Sequence, residues 1–123
     1  MAFPKSPEGP ENWETQVRKG WLELAILASL WEGRLYGLEI LRRLEEGSDL
    51  AVAEGTIYPI LARLKRDGLI GSQWVESEAG HPRKYYTLTP AGRQRTLAMA
   101  RHASRFLSRI DALLAPLLSK EKP

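Results

Sequence analysis

Apolar positions along the chain recur at helical spacing in four segments. Residues 12–32 carry two adjacent apolar rows, which predict a helix that is buried on two faces. Residues 36–46 and 56–67 each carry one apolar row, with Thr56 as the expected N-cap of the second of these helices. A fourth helix is predicted from Pro90 to about residue 115, because Pro116 should end or bend it.

A pattern typical of β-strands separates the third and fourth helices. Residues 70–75 and 83–88 are rich in aromatic and β-branched types, and the segment between them carries turn-forming residues. Thr89 then supplies an N-cap for the last helix, with Pro90 as its first residue. This order predicts a mainly α fold with a small β-hairpin: a winged helix-turn-helix with an N-terminal helix and a C-terminal dimerisation helix. The third helix is then the recognition helix, and the hairpin is the wing.

Length and composition indicate one globular unit. The 123 residues are 43% hydrophobic and 27% charged, which is typical of a folded domain. We expect four regions within it: a flexible arm over residues 1–11, the winged helix-turn-helix DNA-binding domain over 12–88, the dimerisation helix over 89–118, and a frayed tail over 119–123.

Residue usage excludes several kinds of chemistry. The chain has no cysteine and two histidines, so neither a metal nor another cofactor is expected. It has no Ser/His/Asp set, no paired-carboxylate signature and no phosphate-binding glycine loop, so we expect no enzymatic activity. Its longest apolar stretch, residues 21–31, is shorter than the ~20 residues of a membrane span. Because the first twenty residues are also unlike a signal peptide, the expected location is the cytoplasm.

The polar face of the predicted recognition helix has the chemistry of a DNA contact. At ~100° per residue, the direction opposite the apolar row holds Gly55, Pro59, Ala62 and Arg66, flanked by Tyr58 and Arg63. Small residues let the backbone approach DNA, while the longer side chains reach phosphates or base edges. Few of these groups can read bases in bidentate fashion, so DNA shape should contribute to specificity. The alternative is an ordinary solvated helix face.

Basic residues elsewhere extend this predicted surface. The net charge is only +3, but residues 69–123 carry nine basic and four acidic side chains. Local clusters matter more than the total, because salt screens charges beyond ~8–10 Å. The clusters lie on the recognition helix and near the wing tip, and they comprise Arg63, Lys65, Arg66, His81, Arg83 and Lys84.

The last predicted helix carries an apolar stripe with 4-3-4-3-4 spacing. A single winged helix has too little core to cover both this stripe and the two-faced first helix, so a two-fold dimer is expected. Two recognition helices would then meet palindromic half-sites about 34 Å apart. The alternative is that the stripe packs only within its own subunit. The expected interface residues are Val17, Trp21, Leu24, Met99, Ala103, Phe106, Ile110, Leu113 and Leu117.

Several ordered motifs resemble the PadR family of bacterial transcriptional regulators. They are KGWLELAIL at 19–27, LYGLEI at 35–40, EGTIYPILARL at 54–64, GLI at 68–70 and RKYYTLTPAGR at 83–93. The resemblance implies a dimeric winged-helix repressor that binds an operator near its own or a neighbouring gene. It also assigns Gly55, Thr56, Tyr58 and Pro59 to the start of the recognition helix, Tyr36 to the start of the second helix, and residues 83–86 to the wing strand. Ala53 and Glu54 stand where many members have a serine followed by proline or glutamate.

The resemblance also raises the question of an effector. Some relatives bind flat aromatic compounds against a tryptophan in the last helix, and this last helix has none. A cavity lined by Trp13, Trp21 and Trp31 is one alternative, and tryptophans packed in the core are the other. The predicted function is therefore a dimeric repressor of a palindromic operator, with a small aromatic compound as a candidate releasing ligand. A winged-helix protein-interaction module that does not bind DNA is the competing hypothesis.

Overall fold

Over the described residues, four α-helices and a β-hairpin follow one another in the predicted order, with one additional short strand between the first two helices. The structure is a computed structural model that describes residues 10–47, 50, 52–78 and 80–120. Its elements are α1 (Pro10–Ser29), β1 (Leu35–Tyr36), α2 (Gly37–Glu45), α3 (Glu54–Arg66), β2 (Ile70–Val75), β3 (Arg83–Leu88) and α4 (Pro90–Lys120). The predicted mainly α architecture is confirmed, and both hairpin strands have the predicted bounds.

The core is built by apolar residues at helical spacing. Leu22 and Ile26 on α1, with Leu30 just beyond its end, form a buried row that packs with the buried rows of α2 and α3. Each such side chain contributes about 1.5–3 kcal/mol when it leaves water. The other apolar row predicted for α1, which includes Val17 and Trp21, is exposed or half-buried in this single chain. One of the two apolar faces of α1 therefore lacks full cover within the described chain.

The sheet has three strands where the sequence predicted a two-stranded hairpin. β1 pairs antiparallel with β3, with Leu35 opposite Tyr86 and Tyr36 opposite Tyr85, so the strand order is β1-β3-β2. A two-residue strand is too short for an alternating pattern to be recognised. Tyr36, predicted as the first residue of the second helix, is instead its N-cap, and its N–H donates to Glu39 Oε1 at 3.1 Å.

The recognition helix begins earlier than predicted. The N-cap of α3 is Ala53, so the assignment of Thr56 as N-cap was wrong. The Ala53 carbonyl accepts hydrogen bonds from the N–H groups of Thr56 and Ile57, at 3.0 and 3.3 Å. Val52 and Ile57 pack in the same core cluster, the N′–N4 pairing of a hydrophobic staple, which directs the chain into the helix without a side-chain cap. Pro59 is consequently the sixth helical residue, beyond the first turn.

The junction of the sheet with α4 confirms Thr89 as an N-cap. Thr89 Oγ1 accepts from the Gly92 N–H at 3.0 Å, and the hydroxyl donates to the Gly68 carbonyl at 2.6 Å. The Thr89 N–H also donates to the Leu69 carbonyl at 3.1 Å. Gly68 has φ +75°, the left-handed conformation that ends α3. One threonine therefore connects the end of the recognition helix to the start of the last helix.

α4 runs further than predicted. It passes through Pro116 and ends at Lys120, so the predicted end at residue 115 was wrong. Residues 119 and 120 belong to this helix, and the frayed state predicted for the tail stays a prediction. A proline inside a helix removes one hydrogen bond, here to the Ala112 carbonyl, and Ala112 is exposed so that water can replace the bond. Two predicted regions lie partly outside the described residues: the arm over residues 1–9 and the tail over residues 121–123. The last two residues of the predicted arm, 10 and 11, belong to α1.

Candidate nucleic-acid interface

An open groove of about 640 Å³ separates the recognition helix from the wing. Lys65 and Arg66 line it from α3, and Lys84 lines it from β3. Three cations along one groove create a positive potential that attracts a polyanion. The remaining residues that line the groove are Tyr58, Leu61, Ala62 and Tyr86.

Tyr58 is held in the groove by its packing against the start of α2. A Cβ built on Gly37 would lie 2.5 Å from the Tyr58 hydroxyl oxygen and 2.8 Å from Cε1, so only glycine fits at position 37 without movement of the ring. Tyr58 remains 42% exposed, with its edge open to the groove. Burial raises the pKa of the neighbouring Tyr86 above its usual 10.0, and Tyr58 raises that pKa further. The Tyr86 phenol is therefore protonated at neutral pH and can act as a hydrogen-bond donor.

Trp74 on the wing is a candidate contact that the sequence analysis missed. It lies opposite Lys84 in the register of β2 and β3, while Ser72 lies opposite Tyr86. Cross-strand partners project from the same face of a sheet, so Trp74 shares the face of the two groove residues on β3. The indole is 65% exposed, and Lys84 Nζ lies 5.9 Å from its ring centroid. The signal available in the sequence was a tryptophan within the predicted wing strand 70–75.

Two predicted contacts lie on the other face of the wing sheet. Tyr36 packs edge-on against Tyr85 with ring centroids 5.6 Å apart, and the Arg83 guanidinium lies 4.5 Å above the Tyr36 ring. Arg34 covers the Tyr85 ring in the same way, also at 4.5 Å. Because neighbouring residues of a strand point to opposite faces, Arg83 and Lys84 cannot line the same groove. Arg83 and Tyr36 thus belong to a separate cation–aromatic cluster.

Arg63 is turned towards α1. Its Nη1 donates to Glu23 Oε1 at 2.9 Å and lies 4.0 Å from an oxygen of Asp67. Arg95 of α4 donates to the second oxygen of Glu23 at 3.4 Å. The structure therefore places Arg63 in an ion-pair network on the side of α3 away from the wing, and does not bring it into the groove with Lys65 and Arg66.

The other predicted contacts occupy exposed positions. Gly55, Thr56 and Pro59 are exposed along the first turns of α3. His81 is exposed in the wing turn, where its carbonyl accepts a 2.6 Å hydrogen bond from the Ser77 hydroxyl. Gly80 has φ +83°, which a glycine adopts without strain, so the turn keeps this shape.

The predicted interface stripe is largely uncovered in the single chain. Phe106, Leu113 and Leu117 are exposed, whereas Met99, Ala103 and Ile110 are half-buried. On α1, Val17 is exposed, and Trp21 and Leu24 are half-buried. The Trp21 and Phe106 rings lie 6.4 Å apart and link the two helices. A second apolar row beside the stripe is also exposed, and it comprises Leu107, Leu114 and Leu118.

α1 and α4 enclose an apolar cleft of about 510 Å³. Of the three tryptophans predicted to line a cavity, only Trp21 lines this one. Trp31 has the Arg93 guanidinium 4.7 Å above its ring, and Trp13 is 60% exposed. The three cannot converge, because the part of α1 from Trp13 to its end at Ser29 already spans about 24 Å. The full lining is Gly20, Trp21, Leu24, Arg95, Ala98, Met99, His102, Ala103 and Phe106.

The described part of the chain contains neither a metal-binding cluster nor a membrane-spanning helix. Among residues 10–47, 50, 52–78 and 80–120, no group of three or more His, Cys, Asp or Glu side chains is arranged to hold a metal ion. None of the helices over these residues is long and apolar enough to span a membrane.

Comparison with known proteins identifies similar chains among PadR-like transcriptional regulators. The sequence profile of the transcriptional regulator PadR-like family matches residues 26–98. A PadR-like transcription factor from Bacteroides fragilis is 38% identical, with a TM-score of 0.68 over 83% of this chain and 98% of that one. A PadR-like transcriptional regulator from Bacillus cereus is 31% identical, with a TM-score of 0.74 over 80% and 96% of the two chains. A PadR family transcription regulator from Clostridium difficile is also 31% identical, with a TM-score of 0.67 over 78% and 99%. These likenesses confirm the predicted fold class.

Proposed function

This chain belongs to the PadR-like family of transcriptional regulators, as its motifs predicted, and from that membership we propose that it is a homodimeric repressor of a palindromic operator. Members of the family regulate transcription and are not enzymes, in agreement with the absence of catalytic motifs. The observation that carries the proposal is the groove in which Lys65, Arg66 and Lys84 face one opening between α3 and the wing.

The recognition helix enters the major groove with its exposed face. Gly55 and Pro59 allow the α3 backbone to approach the bases, because neither presents a long side chain. Lys65 and Arg66 contact phosphates or guanine edges, and Lys84 contacts the backbone from the wing. Few groups on this face can make bidentate base contacts, so the shape and deformability of the operator supply part of the specificity.

Dimerisation covers the apolar rows of α1 and α4. The exposed leucines and Phe106 on α4 form a large apolar surface, which a monomer in water rarely leaves open. A two-fold axis through this surface brings each row against its own copy. The two recognition helices then meet half-sites about 34 Å apart, or a multiple of that distance.

A planar aromatic effector is the second part of the proposal. The α1/α4 cleft offers Trp21 and Phe106 as stacking surfaces, with Arg95 and His102 as polar groups in its wall. Titration of tryptophan fluorescence with a panel of planar aromatics tests this site. Replacement of Trp21 by Phe should abolish the quenching, while replacement of Trp31 by Phe should preserve it. Equal quenching in both variants would contradict the assignment.

Selection of bound fragments from genomic DNA, followed by anisotropy titrations over a range of salt, tests the main proposal. Each phosphate contact contributes about −0.9 to the slope of log affinity against log salt, so removal of one contact per subunit lowers its magnitude by about 1.8 per dimer. Arg66→Met should show this loss, and Arg101→Met, at an exposed position on α4, should not. A dimer that binds no duplex even at low salt would favour the protein-interaction module.

A further inference from the structure

Glu23 joins three helices through one carboxylate. Its Oε1 accepts from Arg63 of α3 at 2.9 Å, and its Oε2 accepts from Arg95 of α4 at 3.4 Å. The Glu23 side chain is only 15% exposed, whereas the two arginine side chains are about half exposed. The carboxylate is therefore the sheltered centre of the network, and both of its oxygens are occupied.

Arg63 lies at the margin of the surface assigned to DNA. At about 100° per residue, it is turned only about 60° from Arg66 around the axis of α3. A long arginine side chain at that position has the reach to contact a phosphate. The ion pair with Glu23 directs the guanidinium instead towards α1 and α4, which are the helices assigned to the dimer.

We propose that Glu23 is a positioning residue that, by pairing with Arg63, attaches the recognition helix to the dimerisation helices and withholds that arginine from the DNA backbone. This inference rests on the proposed function. Two consequences follow from it. Arg63 adds nothing to the count of phosphate contacts in the native protein, and loss of the Glu23 carboxylate converts Arg63 into a contact that carries no sequence information.

The slope of log affinity against log salt for non-operator DNA measures this directly, because it counts neutralised phosphates. Glu23→Gln removes the 2.9 Å ion pair and leaves Arg63 only its 4.0 Å contact with the exposed Asp67 in each subunit, so the slope should become steeper by about 1.8. Affinity would then fall about 12-fold more than in the wild type between 50 and 200 mM salt. Arg63→Met should leave the wild-type slope unchanged, and the double variant Glu23→Gln/Arg63→Met should restore it.

A matched control separates this effect from a general change in charge. Glu14→Gln removes the same charge from an exposed position on α1, nine residues or about 13 Å along the helix from Glu23. Loss of that charge leaves the Glu23–Arg63 ion pair intact, so the slope of Glu14→Gln should equal that of the wild type. A purely structural role of Glu23 would lower the melting temperature without steepening the slope.

The outcomes distinguish this inference from the proposed function. If wild-type protein binds no duplex DNA, both fall together. If wild-type protein binds DNA and Arg63→Met lowers the magnitude of the slope by about 1.8, Arg63 contacts phosphate and only the role of Glu23 is overturned. In Arg63→Met, Glu23 keeps its ion pair with Arg95. The salt slope of this variant therefore tests whether Arg63 contacts phosphate even if Glu23→Gln fails to fold. An unchanged slope in a folded Glu23→Gln variant would also overturn the inference.

Discussion

The packing of Tyr58 over Gly37 yields a prediction that separates DNA binding from stability. In Gly37→Ala, the new Cβ would lie 2.5 to 2.9 Å from three atoms at the end of the Tyr58 ring. Contacts that short require movement, and the half-exposed ring can rotate away from α2 more easily than the backbone can shift. Tyr58 would therefore leave its place in the groove between α3 and the wing.

The magnitudes show why stability should change little. Loss of the partial burial of the Tyr58 ring costs about 1 kcal/mol, roughly half the value for a fully buried aromatic side chain. Alanine at Gly37, the first residue of α2, regains about 0.4–1 kcal/mol relative to glycine, because it restricts the unfolded chain. Operator binding loses one hydrogen bond per subunit, about 0.5–1.5 kcal/mol each. Two subunits give a loss of about 1–3 kcal/mol, or about 5- to 150-fold in affinity.

Urea unfolding and operator titration of the same samples provide the assay. Gly47→Ala is the matched control, because a Cβ at Gly47, beyond the other end of α2, meets no atom within 4 Å. Tyr58→Ala should weaken operator binding to a similar extent, and Gly37→Ala should add little to it, because both act through the same ring. Wild-type affinity in Gly37→Ala, or a loss of stability well above 2 kcal/mol, would refute the reasoning.

Three further predictions concern the junction, the buried tyrosine and the wing. Gly92→Ala should destabilise the protein by about 1–3 kcal/mol, because the new Cβ would collide with the Leu69 carbonyl, a backbone group that cannot rotate away. Urea unfolding measures this loss, and wild-type stability would contradict the prediction. Because the pKa of Tyr86 is raised in the folded protein, the unfolded chain loses this phenolic proton first, and the free energy of unfolding should fall as the pH rises above 10.0. Tyr86→Phe should flatten this pH dependence, and an equal fall in both proteins would contradict the assignment. Trp74→Ala should change stability by less than about 0.5 kcal/mol, because the indole is exposed. The same variant should weaken DNA binding by about 0.5–1 kcal/mol per subunit, because Lys84 loses the ring that supports it, and unchanged anisotropy titrations would remove Trp74 from the interface.

Local patterns along the chain predicted the elements well. Both hairpin strands have the bounds expected from their composition, and Thr89 caps the last helix as expected. These features depend on residues that lie close together in the sequence. Alternating apolar residues indicate a strand, helical spacing indicates a helix, and a threonine hydroxyl caps a helix by accepting from the N–H three residues later. The start of α3 was missed for a related reason, because Ala53 has no capping side chain and the entry to the helix depends on packing of Val52 in the core.

The amino-acid sequence by itself determined the order of the helices and wing, the apolar faces and the family to which the chain belongs. Only the tertiary structure decided which cations share the groove with Tyr58. Arg63 and Arg66 look equivalent along the chain, but Arg63 meets Glu23 from a helix forty residues away, and Arg66 meets the wing. Lys84 faces the groove and its neighbour Arg83 does not, because pleating sends adjacent strand residues to opposite faces and the register of β3 settles which is which. The direction of a long charged side chain is set by the partners that folding brings within a few ångströms, and no local pattern records those partners.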